Sequence, residues 1–455
     1  MSTFTLIEPA TGRAFREIPR ATVDEVDAAV AAAVSAQRGW AGAAPVVRAD
    51  ALRRFARVVE EHVEELARLE VRNSGHPIES ARWEAAHVAQ VLNYYAGAPE
   101  RLSGRQIPVP GGLDVTFHEP YGVVGVIVPW NFPMTIASWA FAPALAAGNA
   151  VVLKPAELTP LTAVRLGELA LDAGLPEGLL TVITGAGSVV GERFVTHPDV
   201  RKVVFTGSTQ VGTEVAAGCA RGLKPVTLEL GGKSANIVFA DADLERAAAS
   251  APGSVFDNAG QDCCARSRIL VERSVHDRFL ELLEPAVAAW RVGDPAQPET
   301  QMGPLISAAH RESVASFLDG ADIALRGTAP GGDGFWFAPT VVLAEPGDRV
   351  AREEVFGPVV AVLPFDDEAD AIRLANDTVY GLAGSLWTEN LGRAVRVARA
   401  VDSGVLSVNS HSSVRYWTPF GGMKASGLGR ELGPDAAEHF TETKNVFFAT
   451  DPPGR

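Results

Sequence analysis

The stretch Gly122-Val123-Val124-Gly125-Val126-Ile127-Val128 is the first of a series of short apolar runs that decides the predicted fold. Further runs follow at residues 150–153, 180–183, 202–205 and 226–229, and helical spacing separates them. Apolar strands that alternate with helices indicate a mostly parallel sheet covered on both faces. Such sheets bind ligands beyond the carboxyl ends of their strands, so we expect functional residues there.

A second series of apolar runs begins after Gly232, at residues 235–239, 269–271, 359–363 and 404–408. It predicts a second α/β domain, and a cleft between the two domains would hold cofactor and substrate face to face. Ahead of both series, residues 22–62 have apolar side chains at helical spacing. They predict two helices, the first of which begins at a Thr22 cap.

The length, charge and cysteine content of the chain restrict its class. At 455 residues it exceeds one ordinary domain, so we expect two or three domains with substantial cores. A net charge of -15 argues against nucleic-acid binding, which relies on positive charge to neutralise phosphates. Three cysteines, two of them adjacent, make no disulfide framework. With an N-terminus that lacks a secretory signal, they favour a cytoplasmic location.

Residues 121–153 contain no charged side chain and are long enough to span a bilayer. However, Pro129, Pro133 and Pro143 interrupt the segment, and Asn149 lies within it. A buried strand, a loop and a buried helix explain the pattern better, so we expect no membrane contact.

One thiol has the surroundings of a nucleophile: Cys263, in Phe256-Asp257-Asn258-Ala259-Gly260-Gln261-Asp262-Cys263-Cys264-Ala265-Arg266-Ser267-Arg268. A cysteine attacks as its thiolate, so it needs a basic partner or a field that lowers its pKa. Papain-like enzymes use histidine, but the nearest histidines in sequence, His276 and His310, have no such setting. An acid and an amide are better candidates, namely Glu229 in Leu228-Glu229-Leu230-Gly231-Gly232-Lys233 and Asn131 in Pro129-Trp130-Asn131-Phe132-Pro133.

These three stretches together resemble the aldehyde dehydrogenase superfamily, and the resemblance extends over nearly the whole chain. It implies an α/β fold with a Rossmann-like NAD(P)-binding domain at residues 1–101 and 121–231 and a second α/β catalytic domain, which carries the cysteine, at residues 232–432. A small β oligomerisation flap is implied at residues 102–120 and 433–455. The flap implies a homodimer or a homotetramer, although the sequence alone would permit a simple hairpin.

The resemblance also gives the three candidate catalytic residues their roles. Cys263, two residues beyond Gln261, matches the family's nucleophile, and Cys264 is expected to pack away from the cleft. Asn131 and the backbone N–H of Cys263 are expected to stabilise the oxyanion, and Glu229 to activate the water that hydrolyses a thioester. Taken alone, a glutamate is more often a surface or ion-paired group, and a loop asparagine more often bonds the backbone.

Lys154 and Glu157 follow a predicted strand, where a lysine and an acid can hydrogen-bond the hydroxyls of a ribose. A solvated turn explains this tetrapeptide at least as well. In the resembled family the pair contacts the adenosine ribose, and the acid favours NAD without excluding NADP. The resemblance assigns further cofactor-binding residues: Pro129, Trp130, Gly187, Gly207, Ser208, Val211, Leu230, Glu354 and Phe356.

Other ligand classes are not expected. The glycine turn at residues 205–212 departs from the usual dinucleotide fingerprint, but it places a helix N-terminus where pyrophosphate can bind. Residues 231–234 cannot form a triphosphate-binding loop, because Thr227 stands where that loop needs glycine. No His-Glu-x-x-His or paired-cysteine spacing is present, so we expect no catalytic metal.

The resemblance predicts a small-molecule aldehyde substrate and a wall of substrate-binding residues: Phe132, Ile136, Trp139, Asp262, Trp417 and Phe420. Asp262 beside the nucleophile could attract an ammonium group, and Trp139, Tyr416 and Trp417 could add cation–π contacts. This slightly favours an aminoaldehyde. Arg415 could instead hold the carboxylate of a semialdehyde, and plain aliphatic or aromatic aldehydes stay open.

The sequence leaves two alternatives to this reaction: a different fate for the thioester, or no catalysis at all. An acyl-transfer relative would hand it to coenzyme A, but Glu229 argues against this, because such relatives commonly lack an effective water-activating glutamate. A non-catalytic structural protein of the same fold would need none of the three catalytic residues. Some relatives also pair the acid that matches Glu431 with a lysine, and here Ala140 occupies that lysine position.

Overall fold

The computed structural model describes residues 2–412 and 414–450. The α-helices are α1 (Val23–Ala41), α2 (Pro45–Glu61), α3 (Val63–Ser74), α4 (Ile78–Tyr95), α5 (Pro133–Ala146), α6 (Leu161–Asp172), α7 (Glu192–Thr196), α8 (Thr209–Arg221), α9 (Leu244–Phe256), α10 (His276–Ala288), α11 (Ala308–Ala315), α12 (Arg349–Arg352), α13 (Glu368–Asn376) and α14 (Leu391–Ala400).

The strands are β1 (Thr3–Glu8), β2 (Arg13–Pro19), β3 (Gln106–Val109), β4 (Gly112–Pro120), β5 (Val123–Ile127), β6 (Ala150–Lys154), β7 (Leu180–Val182), β8 (Val200–Thr206), β9 (Val226–Glu229), β10 (Ala235–Val238), β11 (Arg268–Glu272), β12 (Asp322–Arg326), β13 (Thr340–Leu343), β14 (Val359–Phe365), β15 (Ala383–Trp387), β16 (Val405–Val408), β17 (Gly427–Leu428) and β18 (Thr441–Ala449).

The first apolar series forms a six-stranded sheet in the order β17-β9-β8-β5-β6-β7. Its strands are parallel except β17, which runs antiparallel to β9. Every residue of β5 and β6 is buried, as expected when helices cover both faces of a parallel sheet. The carboxyl ends of β5, β6, β8 and β9 lead directly into the predicted polar motifs, so the sheet brings these motifs to one edge.

The uncharged segment at residues 121–153 is a strand, a loop, a helix and a strand. Helix α5 within it is buried at all fourteen positions, which explains why it has no polar face. Among the described residues, every helix is too short or too polar to cross a bilayer.

The second series forms a seven-stranded sheet in the order β12-β13-β14-β11-β10-β15-β16, parallel except for β12. It has its own hydrophobic core, separate from the core around the first sheet. The division of the chain at residues 231 and 232 stays a prediction. One short element joins the two parts, because β17 lies within the predicted catalytic domain yet pairs with β9 of the first sheet.

A third sheet contains the segments predicted as a flap. Strand β4 pairs antiparallel with β3 on one side and with β18 on the other, from Thr441 opposite Pro120 to Ala449 opposite Gly112. Apolar side chains remain exposed on it at Ile107, Phe117, Phe447 and Phe448. The predicted strands are confirmed, whereas their role in joining subunits stays a prediction. Residues 451–455 of the predicted flap lie outside the described residues.

Candidate active site

The loop that carries Cys263 depends on a glycine turn. After α9 the chain passes through Asn258 and Ala259, which both have positive φ, to Gly260 at φ +71. A Cβ atom on Gly260 would collide with the carbonyl of Gly357, so the turn requires glycine. The side chain of Cys263 is left half-buried, with part of its surface open to solvent.

Asn131 is anchored to this loop. Its Nδ2 atom donates to the carbonyl of Gln261 at 3.0 Å, and Asn258 Nδ2 donates back to the Asn131 carbonyl at 2.8 Å. Asn131 is itself buried. Asn131, the predicted oxyanion donor, is therefore bonded to the backbone of Gln261, two residues before the predicted nucleophile Cys263. This bond fixes the Asn131 side chain.

Glu229 ends β9 as a buried acid. Among the described residues, neither of its carboxylate oxygens has a hydrogen bond of good geometry, although the Gly422 backbone and the Arg430 charge both act to lower its pKa. Burial, and then the charge of Glu431, raise the pKa of Glu229 well above its usual value. A Cβ atom on Gly421 would lie 2.7 Å from Glu229 Oε1, so glycine at 421 gives the carboxylate room. A carboxyl group of raised pKa suits a general base near neutral pH.

The two glycines after Glu229 bring the two loops together. A Cβ atom on Gly232 would collide with the Cys263 carbonyl, and one on Gly231 would collide with the Glu354 carboxylate. The backbone N–H of Gly232 also donates to Glu354 Oε1 at 2.7 Å. At Gly232 the obstacle is backbone, so that position requires glycine. The turn that follows Glu229 therefore packs directly against the Cys263 backbone and the Glu354 side chain.

Phe356, two residues beyond Glu354, has an unusual backbone conformation. Its φ is +55, which is uncommon for a bulky residue and favours a functional interpretation. Its ring packs edge-on against Trp130, with centroids 5.3 Å apart. His310 fixes the turn through a contact of 2.7 Å between its Nε2 atom and the Phe356 carbonyl. No role was predicted for His310, because it is far from both Phe356 and Trp130 along the chain.

A cavity of about 1080 Å³ lies beyond β8 and is lined in part by Gly187, Phe205 and Val211. The first turn of α8 lies at this cavity, and Ser208 caps it by accepting from the Val211 N–H at 3.4 Å. Leu230 packs closely on Gly212 of the same helix. A helix N-terminus beside an apolar cavity of this size fits the pyrophosphate and adenosine of a dinucleotide.

Lys154 and Glu157 lie at the end of β6. Lys154 is buried and its Nζ atom donates to the Pro155 carbonyl at 2.9 Å. Glu157 accepts a hydrogen bond from Arg20 Nε at 2.7 Å, an ion pair in which both side chains are partly exposed. Arg20 was missed from the sequence, since 137 residues separate it from its partner.

Comparison with known proteins agrees with this arrangement. The model of the aldehyde dehydrogenase family matches residues 1–446 of the chain. The chain belongs to the aldehyde dehydrogenase family.

Individual relatives support the same assignment along the whole length. Phenylacetaldehyde dehydrogenase from Pseudomonas fluorescens is 44% identical over 465 residues, covering 98% of this chain and 93% of that protein. Betaine aldehyde dehydrogenase 2 from Rhizobium meliloti is 42% identical over 450 residues, covering 97% and 93%. The structure of betaine aldehyde dehydrogenase from Staphylococcus aureus in complex with NAD+ matches with a TM-score of 0.96 at 38% identity, covering 99% and 92%. The predicted fold, enzyme class and NAD cofactor are confirmed.

Several of the residues predicted to bind substrate in this aldehyde dehydrogenase form an aromatic cluster. Trp139 packs against Phe420, with ring centroids 5.2 Å apart, and its Nε1 atom donates to His87 Nε2 at 3.1 Å. Burial lowers the pKa of His87 to about 4, so the imidazole is neutral and can accept this bond. Ile136 is buried on the same helix as Trp139. His87 was missed because a lone histidine on a helix carries no sequence signal.

A second cavity, of about 400 Å³, lies beside the Cys263 loop and is lined by Phe132, Trp83, His76, Glu84 and Asp257, among others. His76 and Glu84 form a buried ion pair at 2.6 Å. Burial lowers the pKa of His76, but the Glu84 carboxylate outweighs it and raises the pKa to about 9. Both members of the pair are therefore ionised, and their charges cancel. The exposed Asp257 then gives this side of the enzyme a negative charge.

Asp262 and Trp417 lie at different depths below the protein surface. Asp262 is half-buried and its Oδ1 atom accepts from the backbone N–H of Cys264 at 2.8 Å. Trp417 is 49% exposed and packs edge-on against Tyr416, which in turn contacts His87 at 5.8 Å between rings. The predicted substrate residues thus extend from the thiol to the surface, while their roles stay predictions.

A buried acid and a buried lysine lie behind Glu229. The carboxylate oxygens of Glu431 have no hydrogen-bond partner among the described residues, and burial raises its pKa to about 8 despite the nearby Lys202 charge. Lys202 Nζ donates to Thr227 on β9 at 2.9 Å, and burial lowers its pKa to about 8. Position 140 is alanine in this chain, and the Lys202 charge is the one that acts on Glu431.

Cys264 is buried, which agrees with the expectation that it packs away from the cleft. Its Sγ atom nevertheless lies within 4.8 Å of the Cys263 Sγ atom and of an Asp262 oxygen. The tight turn at Asp262, in which its carbonyl accepts from the Ala265 N–H at 3.0 Å, folds the two side chains toward each other.

Proposed function

We propose that this aldehyde dehydrogenase oxidises an aldehyde to its carboxylic acid through a thioester on Cys263, with a cationic aminoaldehyde as the favoured substrate. The observation that carries the proposal is the close packing at Gly232, which sets the strand end that carries Glu229 against the Cys263 backbone. A thiol and a buried carboxyl of raised pKa on neighbouring loops suit a covalent reaction in which one group attacks and the other activates water.

The residues divide the reaction as follows. The Cys263 thiolate attacks the aldehyde carbon, while Asn131 and the Cys263 N–H donate to the oxygen that becomes negative; one such donor contributes roughly 2.7–4 kcal/mol. When bound, NAD accepts the hydride that leaves this carbon. Glu229 takes a proton from water, which then attacks the thioester and frees the acid and the thiol.

The charge state of the thiol sets a condition on this reaction. A hydrogen bond with Cys264, and then burial, hold the pKa of Cys263 well above its usual value in the unliganded protein. The thiol is therefore protonated at neutral pH and has to lose its proton as the reactants bind. Asn131 needs no change of protonation, because its amide is already held by a hydrogen bond to the Gln261 carbonyl.

The negative groups near the thiol support a cationic substrate. Asp262 is adjacent to the nucleophile, Asp257 is exposed beside it, and Trp139 and Trp417 add aromatic faces suited to an ammonium group. Arg415 supports the semialdehyde alternative: it is exposed, and its Nη2 atom is 3.3 Å from Ser412 Oγ. Rates for 4-aminobutyraldehyde, betaine aldehyde, succinic semialdehyde and neutral aldehydes distinguish the classes.

Asp262→Asn tests the proposed substrate class. Asparagine keeps the Oδ1 acceptor for the Cys264 N–H and removes only the charge. We expect kcat/KM for 4-aminobutyraldehyde to fall about tenfold, the effect of losing about 1.5 kcal/mol from a charged hydrogen bond. Equal losses for the amino and neutral aldehydes would contradict the assignment, and a loss confined to succinic semialdehyde in Arg415→Ala would favour the alternative.

Arg20→Ala tests the cofactor side. If Glu157 contacts the adenosine ribose as proposed, Arg20 offsets the charge that would repel a 2′-phosphate. Without Arg20 we expect kcat/KM for NADP+ to fall at least about tenfold, because unopposed like charges cost several kcal/mol, while that for NAD+ changes little. Arg16→Ala, an exposed arginine on β2, is the matched control. An unchanged preference for NAD+ over NADP+ would contradict a role for Arg20 in cofactor binding.

We also propose that the sheet of β3, β4 and β18 joins copies of this chain. Support comes from five apolar side chains on it that are exposed to water in the single chain, namely Ile107, Leu113, Phe117, Phe447 and Phe448. A homodimer and a homotetramer both satisfy this requirement, and the mass of the native assembly distinguishes them.

A further inference from the structure

Three potential metal ligands meet at the Cys263 loop. The Sγ atoms of Cys263 and Cys264 and a carboxylate oxygen of Asp262 all lie within 4.8 Å of one another. Asp262 and Cys263 are half-buried, whereas Cys264 is buried. The group is therefore partly accessible to a small cation from solvent.

We propose that Asp262, Cys263 and Cys264 form an inhibitory binding site for a divalent cation of the zinc class. The binding of metal does not depend on the proposed reaction. The inhibition does, because it rests on Cys263 being the nucleophile. The sequence prediction concerned a catalytic metal, and this site would oppose catalysis instead.

The donor set and its spacing suit zinc. Two thiolates and a carboxylate are ligands that Zn²⁺ accepts, and open zinc sites commonly have three protein ligands and one exchangeable position. With Zn–S about 2.3 Å and Zn–O about 2.1 Å, neighbouring ligand atoms in a tetrahedral site lie about 3.5 to 3.8 Å apart. The observed spacing requires the side chains to close by about 1 Å at most, which rotation about their side-chain bonds can supply.

The loop is already shaped for this closure. Asp262 Oδ1 accepts from the Cys264 N–H at 2.8 Å, which turns the carboxylate toward the two thiols. Beneath them the buried Arg266 guanidinium donates to the Cys264 carbonyl at 2.6 Å and to the Gly384 carbonyl at 3.2 Å. Because two thiolates and a carboxylate would leave a zinc complex with one net negative charge, a fixed cation nearby stabilises it.

Binding of the metal exchanges the two thiol protons for one Zn²⁺ ion. One Zn²⁺ forms two Zn–S bonds and one Zn–O bond, and the two thiol protons pass to solvent. The metal withdraws electron density from the Cys263 sulfur and occupies the position beside it, so this sulfur becomes a much weaker nucleophile toward an aldehyde. Metal and aldehyde therefore exclude each other, and a chelator that removes the metal restores turnover.

The test uses the full-length enzyme stripped with EDTA, with Cd²⁺ as the spectroscopic probe and Zn²⁺ as the inhibitor. We expect one Cd²⁺ per chain, an ultraviolet thiolate-to-cadmium band, and Zn²⁺ inhibition that EDTA reverses. Cys264→Ala removes a ligand but not the nucleophile. Since losing a mere partner of a ligand costs about 10- to 100-fold in affinity, we expect at least about 100-fold weaker Cd²⁺ binding and Zn²⁺ inhibition, with turnover retained.

Cys219→Ala is the matched control, because Cys219 is buried on α8 and away from the loop. It should bind and respond to metal as the unaltered enzyme does. Equal metal binding and inhibition in Cys264→Ala, or a wild-type enzyme without the cadmium band, would overturn the proposal. A cadmium band accompanied by undiminished turnover would leave the binding site in place and refute both the inhibition and the nucleophilic role of Cys263.

Discussion

Replacing Cys263 by alanine is expected to lower NADH formation by at least about a thousandfold, as the loss of a covalent nucleophile does in other enzymes. The physical reason is that no other described thiol can take its place. Cys264 is buried, and Cys219 is buried on α8. The measurement is NADH absorbance under saturating aldehyde and NAD+.

Two controls make this result specific. NAD+ binding, followed by quenching of tryptophan fluorescence, should persist in Cys263→Ala, because its proposed contacts are on other residues. Cys264→Ala should keep turnover within a few-fold of the unaltered enzyme. Near-normal NADH formation by Cys263→Ala, or a collapse of activity in Cys264→Ala alone, would contradict the assignment of the nucleophile.

Glu229→Gln is expected to stop the reaction after one turnover. Glutamine keeps the shape of the side chain but cannot take a proton from water, so the thioester should accumulate. Removing a general base typically costs about 10²- to 10⁴-fold in rate. A burst of NADH close to one per active site, followed by a steady rate lowered by that factor, is the expected trace. A proportional loss of burst and steady rate would place Glu229 outside thioester hydrolysis.

The raised pKa of Glu229 also predicts how the variant's stability depends on pH. A carboxyl whose pKa is higher in the folded than in the unfolded protein makes folding less favourable as pH rises between those two pKa values. The glutamine variant lacks this penalty. Its unfolding temperature should therefore equal or exceed that of the unaltered enzyme, increasingly so toward higher pH, which excludes unfolding as the reason for lost activity.

The parallel sheets were predictable because their strands are short apolar runs with a polar residue at the carboxyl end. Strands β5, β6, β8 and β9 fall where the runs predict them. Strands β13 and β15 were missed: β15 contains Ala, Gly and Ser, whose side chains give little apolar signal, whereas the apolar run in β13 was simply not recognised. Their place in the sheet is fixed by neighbouring strands, which no local pattern reveals.

The catalytic trio was accessible from sequence because each member lies in a stretch with glycine or proline punctuation. The groups that contact or surround the candidate site residues were not accessible from sequence. His87, His310 and Arg20 act through single contacts to residues distant in the chain, and Lys202 meets Glu431 only because β17 brings the C-terminal segment back to β9. Such contacts arise from tertiary packing and have no spacing to recognise.

The same holds for the thiol pair. The sequence shows two adjacent cysteines but not how their side chains are placed. The turn at Asp262 brings the two sulfur atoms within 4.8 Å of each other, in a loop that follows the positive φ values at Asn258 and Ala259.

The central claim is that Cys263 carries the acyl group and Glu229 releases it. The most direct test is mass spectrometry of Glu229→Gln after mixing with aldehyde and NAD+, followed by tryptic digestion and sequencing of the peptide with residues 247–266. The account predicts a mass increase equal to the acyl group on Cys263 alone. An acyl group on Cys264, or a fully formed burst of NADH with no adduct on this peptide, would contradict it.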